Sequence, residues 1–464
     1  MKQPRDRREY LTTTPIPQLI LSLSVPTIIS MLVTAIYNTA DTFFVARVSD
    51  DPAINTAATA SVGLVFTVMA IIQAFGFFFG HGSGNYLSRM LGAGNHKEAN
   101  EMASTGFAMA IIVGLIFAIV GNIFAAPIAH FLGATDTTMQ FTVDYMRIIL
   151  FGAPFMMAQF VVNNQLRFQG SAVYAMIGLM SGAVMNMVLD PLLILVFHMQ
   201  VRGAAIATVM GQLTSFVVLF IGTSKGENIR MSLGNVKING HYLLEVINGG
   251  APSLFRQGLA AISTLLLNRS AGSIGGDAAI AGMSVAGRLM LMMGSALIGF
   301  GQGYQPVCSF NYGAGLTKRV KEGFKFCVKY STIFLIIIAI VFYKFAPQII
   351  SLFFREKAAA DFDSAQTLQY AKEVGTTALR YMCLSTPLSG AIVISNMMLQ
   401  SIGKGFKASV TASARNGFCF IPLILILPHF LGIQGVEMAQ ACADVLSLLI
   451  AVPMAYSELR KFND

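Results

Sequence analysis

Residues 19–45 read LILSLSVPTIISMLVTAIYNTADTFFV, a run in which Asp41 is the only charged side chain. A bilayer-spanning helix needs about 20 predominantly apolar residues. The stretch is therefore long enough to cross, and its lone carboxylate is costly at that depth. Runs of the same kind recur along the whole chain. Hydrophobic residues make up 55% of the 464 positions and charged residues 11%, whereas a soluble domain carries about 25% charged residues. The composition excludes a soluble domain and predicts an all-α membrane protein that crosses the bilayer many times.

Apolar runs predict spans near 19–45, 56–80, 101–126, 141–163, 172–198 and 203–223, then near 243–268, 278–306, 322–346, 377–400, 408–430 and 435–457. Between the two sixes lies TSKGENIRMSLGNVKINGHY (223–242), a polar connection. The predicted organisation is an N-terminal six-helix bundle over 1–223, a cytoplasmic linker over 224–242 and a C-terminal six-helix bundle over 243–464. The halves repeat one another. SVPTIISMLV around Pro26 pairs with GAPSLFRQGL around Pro252, YMRIILFGAP (145–154) with ALRYMCLSTP (378–387), and VRGAAIAT (201–208) with IQGVEMAQ (433–440). LGAG (91–94) and YGAG (312–315) each close a Gly-rich helix. Twelve transmembrane helices result, as two six-helix bundles. Each bundle has an even number of spans, so both enter from the same side. Pseudo-twofold symmetry about the membrane normal follows, with a cavity between the repeats.

Placing both termini in the cytoplasm puts more than twice as many Lys and Arg residues in inside segments as in outside ones, the orientation that the positive-inside rule selects. The opening MKQPRDRREY reads as a cytoplasmic tail, because the apolar run after it exceeds the roughly 7–15 residues of a signal-peptide core. The net charge of +9 sits in short loops without interleaved aromatics, so no nucleic-acid partner is expected. The five cysteines are scattered, with no CxxC, and behave as small hydrophobes. The histidines show no zinc spacing. No Walker motif is present, and Gly299, Gly301 and Gly303 mimic a phosphate loop without a preceding strand, so they read as helix-packing glycines. No nucleophile–base pair stands out. The chain is not expected to be an enzyme or to hold a resident cofactor.

Asp41 needs a partner, and Asp190 in MNMVLDPLLIL (185–195) is the clearest other acidic residue in a predicted span. Asn186 precedes Asp190 by four residues and Tyr37 precedes Asp41 by four, so each pair shares a helix face. At about 1.5 Å per residue, Asp41 lies roughly 33 Å along the first span and Asp190 roughly 27 Å along the fifth, while Thr208 lies about 8 Å below the outer end of the sixth. All three fall in the outer-leaflet half. Two carboxylates, an amide and a hydroxyl at one level suit sodium, which prefers oxygen ligands by analogy with other hard cations. They equally suit a proton shared by the pair, since burial and a like charge both favour a bound proton. A third reading leaves Asp190 capping a kink before Pro191 and Asp41 bonding a neighbouring helix.

These residues, P(26)…Y(37)NTAD(41)TFFV, N(186)MVLDP(191) and GAAIAT(208), together with GFGQGYQPVCSFNYGAG (299–315), resemble the multidrug and toxic compound extrusion (MATE) family across essentially the whole chain. Within it the sequence is most similar to the DinF-type and MepA-like bacterial branch. The resemblance implies a V-shaped central cleft and secondary active efflux of bulky, often cationic drugs in exchange for inward protons or sodium. The coupling site it implies falls on Asp41, Asn186, Asp190 and Thr208. The other branch of the family uses carboxylates in the seventh and tenth helices. Here the tenth span has none and the seventh has only Glu245, near the cytoplasmic edge.

Pro26 removes a helix hydrogen bond, and by the same resemblance its bend couples Asp41 to movement of the first helix. Flexible Met surfaces suit promiscuous binding. Where the cleft is expected, Phe155 and Met292 are substrate contacts, and Asn163 and Gln302 are polar ones. The expected setting is a plasma membrane, with small-molecule drugs and the lipid bilayer as partners and a monomeric chain. A lipid-linked oligosaccharide flippase of the same superfamily is the alternative transporter, with Arg256 and Arg288 as its support. A non-transporting membrane receptor is the alternative outside transport. Arg415 has no role in this reading.

Overall fold

The computed structural model describes residues 7–45, 51–354 and 362–462; the side chains of 35–43, 52–53 and 362–365 also fall outside that description. Among the described residues all regular structure is helical. The short α1 (Arg7–Thr13) precedes α2 (Ile16–Val45), α3 (Pro52–Gly92), α4 (His96–Ile123), the short α5 (Ala125–Phe131), α6 (Met139–Phe168), α7 (Ala172–Pro191) and α8 (Gln200–Thr223). After the linker come α9 (Gly240–Gly313), α10 (Thr317–Lys344), the short α11 (Ala346–Ser351), α12 (Phe362–Ser401), α13 (Gly405–Ser413), α14 (Phe420–Leu431) and α15 (Ile433–Leu459).

Eleven of the described helical stretches are long and apolar enough to cross a membrane. One of them, α9, has 74 residues. Straight, it would measure about 110 Å at about 1.5 Å per residue, more than three times the roughly 30 Å hydrocarbon core. It breaks at Gly276, where φ is 63° and ψ −161°, a conformation essentially restricted to glycine. The break separates the predicted spans 243–268 and 278–306, and the described residues then hold the twelve crossings read from the sequence.

The chain forms two compact units. The first comprises Met1–Leu254, Gln302–Leu316 and Ser401–Gly403; the second comprises Phe255–Gly301, Thr317–Gln400 and Lys404–Asp464. Both ends of α9 thus belong to the first unit. In that unit α3 packs on α4 and α6, α6 packs on α8, and α7 packs on α8. Tyr145, Met146, Ile149 and Leu150 of α6 are buried at its core. Small residues let the helices approach where lipid offers no hydrophobic drive between them. A Cβ on Gly114 would meet the backbone of Pro154, and Gly182 of α7 and Gly211 of α8 abut each other's carbonyls. The linker is fastened to α4. Ser232 N–H donates to Ser104 Oγ at 3.1 Å, Lys237 N–H to Thr105 Oγ1 at 2.9 Å, and Lys237 Nζ pairs with Glu101 at 2.7 Å.

In the second unit the predicted span 408–430 is not one continuous helix. Between α13 and α14 residues Ala414–Phe418 form a π-helical turn in which Gly417 leaves helical geometry. The repeat nonetheless recurs in side-chain bonding: Asn163 donates to the carbonyl of Ala175 at 3.0 Å and Asn396 to that of Ala408 at 2.6 Å. Both partners are displaced by the same 233 positions. Arg167, which falls between the predicted spans 141–163 and 172–198, instead lies in the last turn of α6 and is only 3% exposed.

Glycine packing has a direct stability consequence. Gly114→Ala forces Pro154 aside and should cost about 1–3 kcal/mol. Gly287→Ala enters open space and should gain about 0.5–1 kcal/mol. Cys308, Cys327, Cys383 and Cys419 are buried, so thermal unfolding followed with a thiol-reactive dye reports both shifts.

Candidate functional site

The last turns of α7 carry Asn186 and Asp190 on one face. Pro191 ends the regular helix, and the chain continues as a π-helical turn over Leu192–Val196. Asp190 is fully buried and Asn186 is 2% exposed. Thr208 of α8 stands opposite, also buried. In one amide orientation Asn186 Nδ2 lies 3.4 Å from Thr208 Oγ1. Turned over, Nδ2 donates to Asp190 Oδ2 at 3.2 Å and Oδ1 accepts from the Thr208 N–H at 3.2 Å. The second orientation matches donor to acceptor at both ends and is the one hydrogen-bond complementarity selects. Asn186 is therefore the bridge that links the buried carboxylate of α7 to α8. Gly211 makes the bridge sterically feasible, because a Cβ there would press on Asn186 and on the carbonyl of Gly182.

Beside this bridge lies a cavity of about 90 Å³. Thr34 of α2, Gln73 of α3, Gln159 of α6, Asn186 of α7, and Thr208 and Gln212 of α8 give it polar walls, and Met31, Phe66 and Met156 give it apolar ones. Drug-sized ligands occupy roughly 300–1,000 Å³, so the space is too small for one. It suits a few water molecules, each about 30 Å³ of liquid volume, or a small cation with water. The amide and hydroxyl oxygens on its polar side are the ligand type that such a cation takes, and the rest of the wall is apolar.

The structure brings Asn186, Asp190 and Thr208 together. Asp41 and Tyr37 lie on α2, and their side chains are outside the described residues. Thr34, seven positions before Asp41, faces the cavity. Pro26 is buried within α2, and its carbonyl accepts from Ser30 Oγ at 2.9 Å.

The expected substrate contacts are scattered. Phe155 is half-buried and packs on Phe216, with ring centroids 6.3 Å apart, whereas its neighbours Met156, Gln159 and Phe160 face the cavity. Asn163 is bonded to the Ala175 carbonyl, and Gln302, buried, accepts from Arg167, which also donates to Asn164. Met292, in the second unit, is 54% exposed. Gln159 and Gln212 were missed on sequence grounds. Gln212 was within reach, since it follows Thr208 by one helical turn.

The second unit holds a polar cluster that the sequence reading passed over. Asp444 of α15 accepts from Arg415 Nε at 2.7 Å, Gln440 Nε2 at 3.0 Å and Ser385 Oγ at 3.0 Å.

Comparison with known proteins places this architecture. The MatE family profile matches residues 26–192 and 252–427, one segment in each half. The chain belongs to the MatE family. The multidrug export protein MepA of Staphylococcus aureus (strain MRSA252) is 26% identical over 450 residues, covering 96% of this chain and 95% of its own. MepA of Staphylococcus saprophyticus is 26% identical over 440 residues, covering 94% and 93%. A MATE transporter crystallised with MaL6 shares the fold at a TM-score of 0.89, with 23% identity and 99% of both chains covered. The outward-facing form of a multidrug resistance MATE transporter of the MOP superfamily matches equally, at 0.89, 23% and 99% of both chains. The fold is thus that of an all-α membrane transporter.

Removing the bridge leaves a buried carboxylate short of a donor. Asn186→Ala should lower stability by about 1–3 kcal/mol, while Thr34→Val, on the cavity wall, should change it by less than 1 kcal/mol (about the cost of one ordinary hydrogen bond). Thermal unfolding in detergent measures both.

Proposed function

We propose that this chain is a secondary active multidrug antiporter that exports bulky, often cationic drugs in exchange for inward protons or sodium. The observation that carries the reading is Asp190, fully buried and bridged through Asn186 to Thr208, with Asn186 and Thr208 on the wall of a partly polar space of about 90 Å³. An intramembrane carboxylate is costly and is kept where it handles an ion. The relatives named as multidrug export proteins give the cargo class.

In the proposed cycle the cation enters from outside and binds at Asp41 and Asp190, with Asn186, Thr208 and Tyr37 supplying oxygen or hydrogen-bond partners. Binding alters α2 at Pro26, where the helix lacks a backbone hydrogen bond, and this favours release of the drug. Release of the cation inside and loading of a new drug complete the cycle, with no resident cofactor and no hydrolytic step. The cavity is too small for the drug, so cargo binds elsewhere. Met292 is exposed enough to touch it directly. Asn163 and Gln302 would reach it only by exchanging their present partners, and Phe155 only by leaving Phe216. We place both termini in the cytoplasm of a plasma membrane, residues 1–223 and 243–464 as the two lobes, and a single chain as the working unit. About 100 mV supplies about 2.3 kcal/mol per charge, which at about 1.4 kcal/mol per tenfold sustains roughly a 45-fold drug gradient without ATP.

The test is ethidium efflux from proteoliposomes under an imposed proton or sodium gradient. Asp190→Asn and Asp41→Asn should each abolish gradient-driven efflux in protein that still folds. Full efflux by both variants would refute the assignment, and preference for a lipid-linked sugar over ethidium would favour a flippase.

A further inference from the structure

In the register set by the Asn163–Ala175 and Asn396–Ala408 bonds, Gly182 corresponds to Arg415. The pairing of 201–208 with 433–440 carries Thr208, Gln212 and Ser215 onto Gln440, Asp444 and Ser447. All four first-unit residues line the cavity. The helix face that borders open space in the first unit therefore carries an ion pair in the second. Asp444 is 1% exposed, and its carboxylate is satisfied by Arg415, Gln440 and Ser385. Its charge is already balanced by Arg415, so it has little attraction left for a further cation.

Glu437 is different. It lies on the same face of α15, three residues before Gln440 and seven before Asp444. It is 3% exposed. Among the described residues no hydrogen bond or ion pair reaches it, and no charged group acts on it. A buried charge without a partner costs several kcal/mol. The first-unit counterpart is Ala205, so this helix position does not require a carboxylate in order to fold and pack. By contrast Asn186 and Asp190 have Cys419 and Leu423 as counterparts. The polar site of the first unit is thus not copied in the second, where a carboxyl group sits at a different place on the repeat.

We infer that Glu437 is a second monovalent-cation site, taking a proton or sodium, in the second unit. Gln440 stands beside it, and the Arg415–Asp444 pair next along the helix keeps the surrounding charge balanced. The inference rests on the antiporter reading and adds one cation to each cycle. Glu437 lies only four residues, about 6 Å, from the start of α15, the end that the proposed orientation places outside. The cation would therefore load from the same side as in the first unit.

Two measurements on the reconstituted full-length protein test this. Infrared difference spectra follow the carboxyl band of Glu437 in one arm through pH jumps without sodium, and in the other through sodium addition at fixed pH. A band that responds to pH, to sodium or to both, and that is lost in Glu437→Gln but kept in Asp190→Asn, is the expected result, and the responding arm identifies the ion. The second measurement is the steady-state ethidium gradient against an imposed potential of about 100 mV. Loss of one cation per cycle should lower it about 45-fold in Glu437→Gln and Glu437→Ala. A Glu437 band that responds to neither pH nor sodium overturns the proposal, as does an unchanged gradient in both variants. Neither result depends on whether Asp190→Asn abolishes driven efflux, so failure at Glu437 is distinguishable from failure at Asp190.

Discussion

Polar groups buried in an apolar bundle must find partners inside the protein, because no water competes to satisfy them. In the first unit that constraint is met by Asn186, whose amide gives one end to Asp190 and the other to the backbone of Thr208. The glycine pair Gly182 and Gly211 brings α7 and α8 close enough for the bridge to form. The same close approach leaves a small space with polar walls beside it. Stability and proposed function therefore draw on one arrangement. Asn186 and Thr208, the two ends of the bridge, both line that space.

The repeat shows how evolution can keep a scaffold and change its chemistry. The Asn163 and Asn396 bonds are scaffold, present in both units with the same partners. So is the close contact of Gly203 with Leu193 and of Gly435 with Leu427. The cavity wall is not conserved between the repeats. Gly182 becomes Arg415 and Gln212 becomes Asp444, and the open space of one unit gives way to a neutral ion pair in the other. A pair of that kind is strongly destabilised when one partner is lost. It ties α12, the π-helical turn and α15 of the second unit together through Ser385, Arg415 and Asp444.

Much of the fold was legible because a membrane span is written in composition and length. The twelve spans, their duplication and the polar linker all follow from apolar runs and short repeated strings. What escaped was local geometry that such runs do not encode. The π-helical turn at Ala414–Phe418 falls inside a predicted span, where the Arg415-Asn416-Gly417 string interrupts the apolar pattern. Arg167 looked like a loop cation because it lies at the end of a span, yet Gln302 and Asn164 bury it. At the site, Asn186, Asp190 and Thr208 could be grouped because depth along a helix is simple arithmetic. Met156 faces the space while its neighbour Phe155 packs on Phe216, because a one-residue step turns a side chain by about 100°. The Asp444 cluster and Glu437 were not legible from the repeat, because their counterparts Gln212 and Ala205 carry no charge.

The account stands on competition between cation and drug, and thermodynamic reciprocity makes that measurable without transport. Ethidium binding to the detergent-solubilised protein, titrated at several pH values and sodium concentrations, reports it directly. The account predicts that wild type binds ethidium more weakly as proton or sodium activity rises and releases that cation on binding, and that Asp190→Asn loses most of the dependence. Wild-type affinity that ignores both ions, or an Asp190→Asn protein that keeps the full dependence, would contradict it.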